Sequence, residues 1–177
     1  VEQGLAAASE SESCVVTKAG FTYEARAVVD CIGAEELGNA LRNLSDQFPF
    51  HDVFFVQARV PDVALEARVG VVRGAAANCT CTRMEHVSAD GYFHDFVALP
   101  RDEAVERWLG GDEAAMRDAE AQIAELCAGW WRWLLAESAE DPVSVRVDFL
   151  VRRPAPGRAE VWTCEVGELG YSTVGWE

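Results

Sequence analysis

The stretch VSVRVDFLVRRPAPGRAEVWTCEV (143–166) holds two strand-like runs on either side of a Pro-Ala-Pro-Gly turn. Side chains on a strand alternate between its two faces. Val143, Val145, Val147, Phe149 and Val151 therefore share one apolar face, and Ser144, Arg146, Asp148 and Leu150 share the other. Arg146 and Asp148 become neighbours on a strand that otherwise reads as core. A hairpin closing symmetrically about Pro156-Gly157 sets Asp148 opposite Glu165, with Cβ atoms roughly 5 Å apart. A slip of one residue would send the two to opposite faces. Two opposed carboxylates repel unless something lies between them, and apolar flanks raise the cost by removing water. Two arrangements answer this. A hard divalent cation such as magnesium accepts carboxylate oxygens and leaves room for phosphates. Alternatively the two are solvated acids with Arg146 or Arg152 as counter-ions.

Outward from this hairpin, strands and helices alternate. CVVTK (14–18) is a short apolar run ending on Lys18, and FTYEARAVVD (21–30) alternates as a strand does. After Gly33, AEELGNALRNLSDQF (34–48) sets Leu37, Ala40, Leu41 and Leu44 at helical spacing, ended by Pro49. DVFFVQARV (52–60) reads as a buried strand, and LEARVGVVRG (65–74) as another closed by Gly74. CTCTRMEHV (79–87) and YFHDFVAL (92–99) form a hairpin across Asp90-Gly91. RDEAVERWL (101–109) is a short helix stopped by Gly110-Gly111. The longest helix covers 112–138, with Met116, Ala119, Ile123, Leu126, Cys127, Trp130 and Leu134 on one face and acids in the first turn. This order predicts an α+β chain.

Composition removes several functions. Half of the 177 residues are apolar, enough for a core without staples. The formal net charge is −15, with 30 acids against 15 bases and Lys18 the one lysine, so nucleic acid is not an expected partner. No run approaches the roughly 20 apolar residues of a membrane span. The opening VEQGLAAASESESC reads as a flexible lead-in over 1–13, without the basic flank or apolar run of a signal peptide. Six scattered cysteines, with one Cys-x-Cys and no Cys-x-x-Cys, predict free thiols in a reducing compartment, the cytoplasm or an organelle interior. They do not predict zinc. Trp130, Trp131 and Trp133, with Arg132 between, read as packing plus a surface for a protein partner. His51, His86 and His94 stand in separate segments, and no Gly-x-x-x-x-Gly-Lys loop occurs.

The run VRVDFLV, a short turn and EVWTCEVGELGYS resemble the metal-binding hairpin of ATP-grasp ligases, whose pattern is Arg-x-Asp, a gap and Glu-x-Asn. VVTK resembles that family's phosphate-binding lysine strand, DVFFVQARV its adenine hinge, and ALEARVGVVRG its ribose-binding strand. The resemblance implies an α+β fold of two mixed sheet-and-helix lobes with nucleotide between them, a small lobe over 14–60 and a larger one over 61–177. It implies ATP and magnesium as cofactors, and a small carboxylate joined to an amine or similar nucleophile through an acyl phosphate. Lys18 would sit on phosphates, with Gln57, Ala58 and Val60 lining the adenine hinge through backbone groups. Glu66 would accept the ribose hydroxyls. Arg146 would be catalytic, stabilising developing charge, and Asp148 and Glu165 would bind magnesium. Arg68, on the strand face of Glu66, points the same way as a phosphate ligand.

Three departures accompany the resemblance. Gly167 stands where the family has a metal-binding Asn, and the loop AGFTYEAR carries a single glycine where relatives have several. The family also has a further domain ahead of the lysine strand, so this chain corresponds to a fragment or to a form without that domain. Two functions follow: a ligase-type enzyme, or a non-catalytic ATP-grasp-like subunit acting as an interaction module in a larger assembly.

Overall fold

A computed structural model describes residues 14–20, 28–50, 52–84, 96–138 and 143–168. The lead-in, the first part of the strand expected at 21–30, all three histidines and the Asp90-Gly91 turn lie outside the described residues. The chain divides into two compact units; the described residues up to 59 belong to one and those from 60 onward to the other.

In the first unit, β1 (Cys14–Ala19) is the centre of a three-stranded antiparallel sheet between β2 (Val28–Ile32) and β3 (Phe54–Ala58). Helix α1 (Gly33–Gln47) starts at Gly33, whose φ of +79° suits a residue without Cβ. Its Leu37, Ala40 and Leu44 are buried, and the first two join Val15 and Cys31 in a small core, as the helical spacing predicts. The strand expected to be buried at 52–60 is instead an edge strand among the described residues. Phe55 is 52% exposed, and Gln57 and Ala58 are exposed too. An apolar run reads alike at the centre and at the edge of a sheet; pairing decides, and among the described residues β3 pairs with β1 alone.

The second unit is a five-stranded antiparallel sheet in the order β6-β5-β4-β7-β8. Its strands are β4 (Val63–Val72), β5 (Ala75–Met84), β6 (Phe96–Leu99), β7 (Ser144–Ala155) and β8 (Arg158–Glu168). Helices α2 (Arg101–Trp108) and α3 (Glu113–Glu137) cover one face. Leu65, Ala67, Val69 and Val71 of β4 and Val145, Val147, Phe149 and Val151 of β7 meet Met116, Ala119, Ile123 and Cys127 of α3 in one core. Trp130 and Trp131 pack against that core, and Trp133 is 52% exposed. Gly74 closes the β4–β5 turn at φ +83°, and a Cβ there would come within 2.8 Å of the Trp131 ring.

β7 runs through Pro154 rather than ending before it. Proline cannot donate to a ladder, and it sits where the register with β8 shifts between Arg152 and Ala155. Helix α3 also reaches the outer strand. The Asp112 carboxylate caps the helix at Ala115 N (3.0 Å) and accepts from Gly157 N (2.8 Å). Asp118 accepts from Ala159 N (2.8 Å), Gln122 donates to Ala159 O (2.9 Å), and Trp130 Nε1 donates to Thr163 Oγ1 (2.8 Å). No helix among the described residues is long and apolar enough to cross a membrane.

Candidate functional site

The face of the five-stranded sheet opposite the helices is polar. β4 lies between β5 and β7, so Arg68 pairs with Thr80 on one side and with Asp148 on the other. Glu66 pairs with Thr82 and Leu150, and Asp148 in turn pairs with Glu165 of β8. Alternation then brings Glu66, Arg68, Arg146, Asp148 and Glu165 to one face over three adjacent strands. The Asp148–Glu165 pairing is the one the symmetric hairpin predicts, although the register shifts both between Asp148 and Phe149 and near the turn.

Arg146 and Asp148 are 5% and 1% exposed. Arg146 Nε donates to Asp148 Oδ1 and its Nη2 to Oδ2, both at 2.9 Å. The same Nη2 donates to Glu165 Oε1 at 2.9 Å, so one nitrogen bridges the two carboxylates. Beside them Arg68 Nε donates to Glu66 Oε1 at 3.0 Å. The repulsion foreseen between Asp148 and Glu165 is thus met by Arg146, the counter-ion reading of the hairpin. Thr80 and Thr82 extend this polar face on β5, both buried, and Thr82 donates to Glu66 O at 3.3 Å.

With all groups ionised, Glu66, Asp148 and Glu165 outnumber Arg68 and Arg146 by one negative charge. Burial pushes Asp148 up to about 7 against the pull of Arg146, and the charges of Glu66 and Glu165 add to the rise. Burial likewise raises Glu66, opposed by Arg68. Burial disfavours the charge on Arg146, but Asp148 and Glu165 outweigh it and its pKa is raised. A divalent cation suits this donor set by charge, since it would meet two carboxylate oxygens already sharing one positive partner. Among the described residues no group of three or more His, Cys, Asp or Glu side chains is arranged to hold a metal ion.

The other expected residues stand as follows. Lys18 is half-buried on β1, paired with Val28 and Phe55. Gln57 and Ala58 lie on β3 opposite Val16 and Val15. Val60 is half-buried and follows that strand, as the first residue of the second unit. Gly167 pairs with Arg146 and brings no side chain to the hairpin. None of the six cysteines is in a disulfide. The buried Thr80 and Thr82 were not singled out in the sequence; their alternation is visible there, but the strand they share a face with is not.

No protein-family model matches the chain, and no curated protein does. The chain is similar in structure to D-cycloserine synthetase DcsG, an ATP-grasp protein, at a TM-score of 0.53 and 18% sequence identity. The match covers 94% of this chain and 52% of that one, so the chain spans about half the length of DcsG. At this identity the likeness speaks for a common fold and for the fold alone.

Proposed function

We propose that the chain is the nucleotide-binding part of an ATP- and magnesium-dependent ligase-type enzyme. It would join a small carboxylate to an amine or similar nucleophile through an acyl phosphate. The observation that carries this is the mixed-charge face of the second unit's sheet, where Arg146 and Asp148 are buried together. Burying such a pair seldom adds stability, and apolar residues of similar volume would serve a purely structural sheet at least as well. The opposite face of the same sheet is built that way. Charged groups held out of water with shifted pKa values cluster at functional sites.

In this reading Asp148 and Glu165 hold the cation, and Arg146 exchanges its intramolecular partners for the charge that develops on the transferred phosphoryl group. Magnesium, held by Asp148 and Glu165, would supply positive charge against the phosphates. Glu66 accepts the ribose hydroxyls, Lys18 meets phosphates, and the backbone of Gln57, Ala58 and Val60 reads adenine. The likeness of fold to DcsG supports the same reading coarsely.

A second reading is a non-catalytic ATP-grasp-like module in a larger assembly. It is favoured by Arg146, which satisfies both carboxylates without a cation, and by Gly167, which offers no third ligand. The half-exposed Trp133 on α3 would then face a protein partner. Calorimetric titration with ATP and magnesium separates the two. The enzyme reading expects saturable binding that weakens in Glu66→Gln, and a rise in melting temperature, since ligand at 100 times its Kd adds about 2.7 kcal/mol. No binding at millimolar nucleotide would favour the module.

A further inference from the structure

β5 carries two thiols on its helix-facing side. Cys79 and Cys81 pair with Val69 and Ala67 of β4, both of which belong to the core under the helices. Two positions apart on one strand, they share a face, and their thiols hydrogen-bond to each other. Cys79 is exposed and Cys81 buried, so the pair leads from solvent inward. Both line a cavity of about 110 Å³ between the sheet and α3. Met116, one of two methionines in the chain, lines it as well. Aliphatic side chains, Leu65, Ile123 and Val151 among them, make up most of the remaining wall. The charged lining residues are Arg101 and Glu120, and these are bound to each other at 2.6 Å.

We propose that this cavity binds a soft monovalent cation of the copper(I) class, held by the thiolates of Cys79 and Cys81 with the Met116 thioether as a third donor. Thiolate and thioether sulfur suit soft metals, copper(I) among them, together with zinc and iron–sulfur clusters. Zinc would ask for four nitrogen or sulfur ligands, and no group of three or more His, Cys, Asp or Glu side chains is arranged for it among the described residues. On binding, two S–H bonds give way to two S–Cu bonds and two protons pass to solvent; copper keeps its oxidation state. The resulting bis-thiolate centre carries one net negative charge. Cys127 is a contrast. It is 1% exposed and is not among the residues lining the cavity, so it packs as a small neutral side chain.

The test is an anaerobic titration of the reduced chain with copper(I), a chromophoric chelator competing for the metal. One equivalent should be held, with sulfur-to-copper charge-transfer absorption in the ultraviolet and a raised melting temperature. Cys79→Ser, at an exposed position that leaves the core intact, should lower the affinity by more than the roughly 10- to 100-fold typical of losing an outer partner. Cys81→Ser should do the same. Met116→Leu, which conserves volume, should weaken the complex less and keep its stoichiometry, and Cys14→Ser with Cys31→Ser should leave it unchanged. Copper held equally well by the Cys79→Ser, Cys81→Ser double variant would overturn the proposal. So would loss of binding in the Cys14→Ser, Cys31→Ser variant, or a Met116→Leu variant indistinguishable from the parent.

Discussion

Arg101 and Arg146 each grip more than one carboxylate, and on its shortest bonds Arg101 grips harder. Its Nη2 meets Glu113 Oε1 at 2.7 Å and its Nε meets Glu120 Oε1 at 2.6 Å, against 2.9 Å for each bond of Arg146 to Asp148 and Glu165. The two differ in water. The Arg101 side chain is 35% exposed with partners at 44% and 43%, whereas Arg146 and Asp148 are 5% and 1% exposed. Loss of a partner at the surface is answered by solvent, and the same loss inside is not. Dependence on an ion pair should therefore follow burial rather than bond length.

The sharpest test of that contrast is Arg146→Leu. Breaking a buried pair by removing one partner costs about 3–5 kcal/mol, because the other charge stays buried. Urea unfolding should report a loss of that order at pH 8 and a smaller one at pH 5, where Asp148 can take up a proton. A loss below about 1 kcal/mol at both pH values, the range of a surface pair, would remove the distinction between the two arginines.

Next comes Asp148→Asn. An amide cannot accept both bonds from Arg146, and a hydrogen bond to a charged group is worth roughly 1.5–3 kcal/mol, so the variant should unfold more easily than the parent near pH 4, and by less at pH 7. Titration sharpens this. Asp148 has its folded pKa raised to about 7 from an ordinary 3.8, so the folded state holds the proton more tightly than the unfolded one. Its contribution is full below about 4 and is lost as pH rises towards 7. Glu66, raised as well, acts in the same direction. The parent's melting temperature should therefore fall over that window, and Asp148→Asn should show a shallower fall. An unchanged slope would mean that Asp148 is not the titrating group.

Asp112 lies between the extremes, half-buried, with bonds to Ala115 N, Gly157 N and Arg153. The backbone bonds from Gly157 and Ala115, with Arg153 beside them, lower it to about 2. Its contribution is thus present above about 4 and is lost as pH falls towards 2, opposite in sign to Asp148. Asp112→Ala should melt below the parent at pH 6 and approach it in acid, with a drop smaller than that of Asp148→Asn. The smallest effect belongs to Arg101→Ala, a loss below about 1 kcal/mol that shrinks further in high salt. A drop equal to that of Arg146→Leu would break the comparison from the other side.

Local rules carried the reading of the sequence a long way. The spacing of Leu37, Ala40 and Leu44, and of Met116, Ala119, Ile123 and Cys127, marks buried helix faces that the structure contains. The Asp148–Glu165 pairing followed from symmetry about one turn, because the two register shifts in the hairpin offset one another. What pairs across long separations was not legible. Glu66 and Arg68 join Arg146 and Asp148 because β4 sits beside β7, about eighty residues away, and nothing local to either strand encodes that neighbour. The partner of the two carboxylates also stayed open between a cation and Arg146. Both satisfy the same charge, and only the path of a flexible guanidinium distinguishes them. The edge position of β3 was misjudged for a related reason, since Phe54, Phe55 and Val56 are as apolar as a central strand would be.

The bonds from α3 to β8 act as a gauge on the hairpin. Asp112, Asp118, Gln122 and Trp130 stand at fixed heights on one rigid helix and meet Gly157, Ala159 and Thr163. A hairpin shifted by one residue turns every side chain of β8 over. It would carry Glu165 away from Asp148 and strand all four helix groups in the same step. The strand is therefore measured twice, by its neighbour in the sheet and by the helix alongside. Both rulers must agree before Asp148 and Glu165 can face one another.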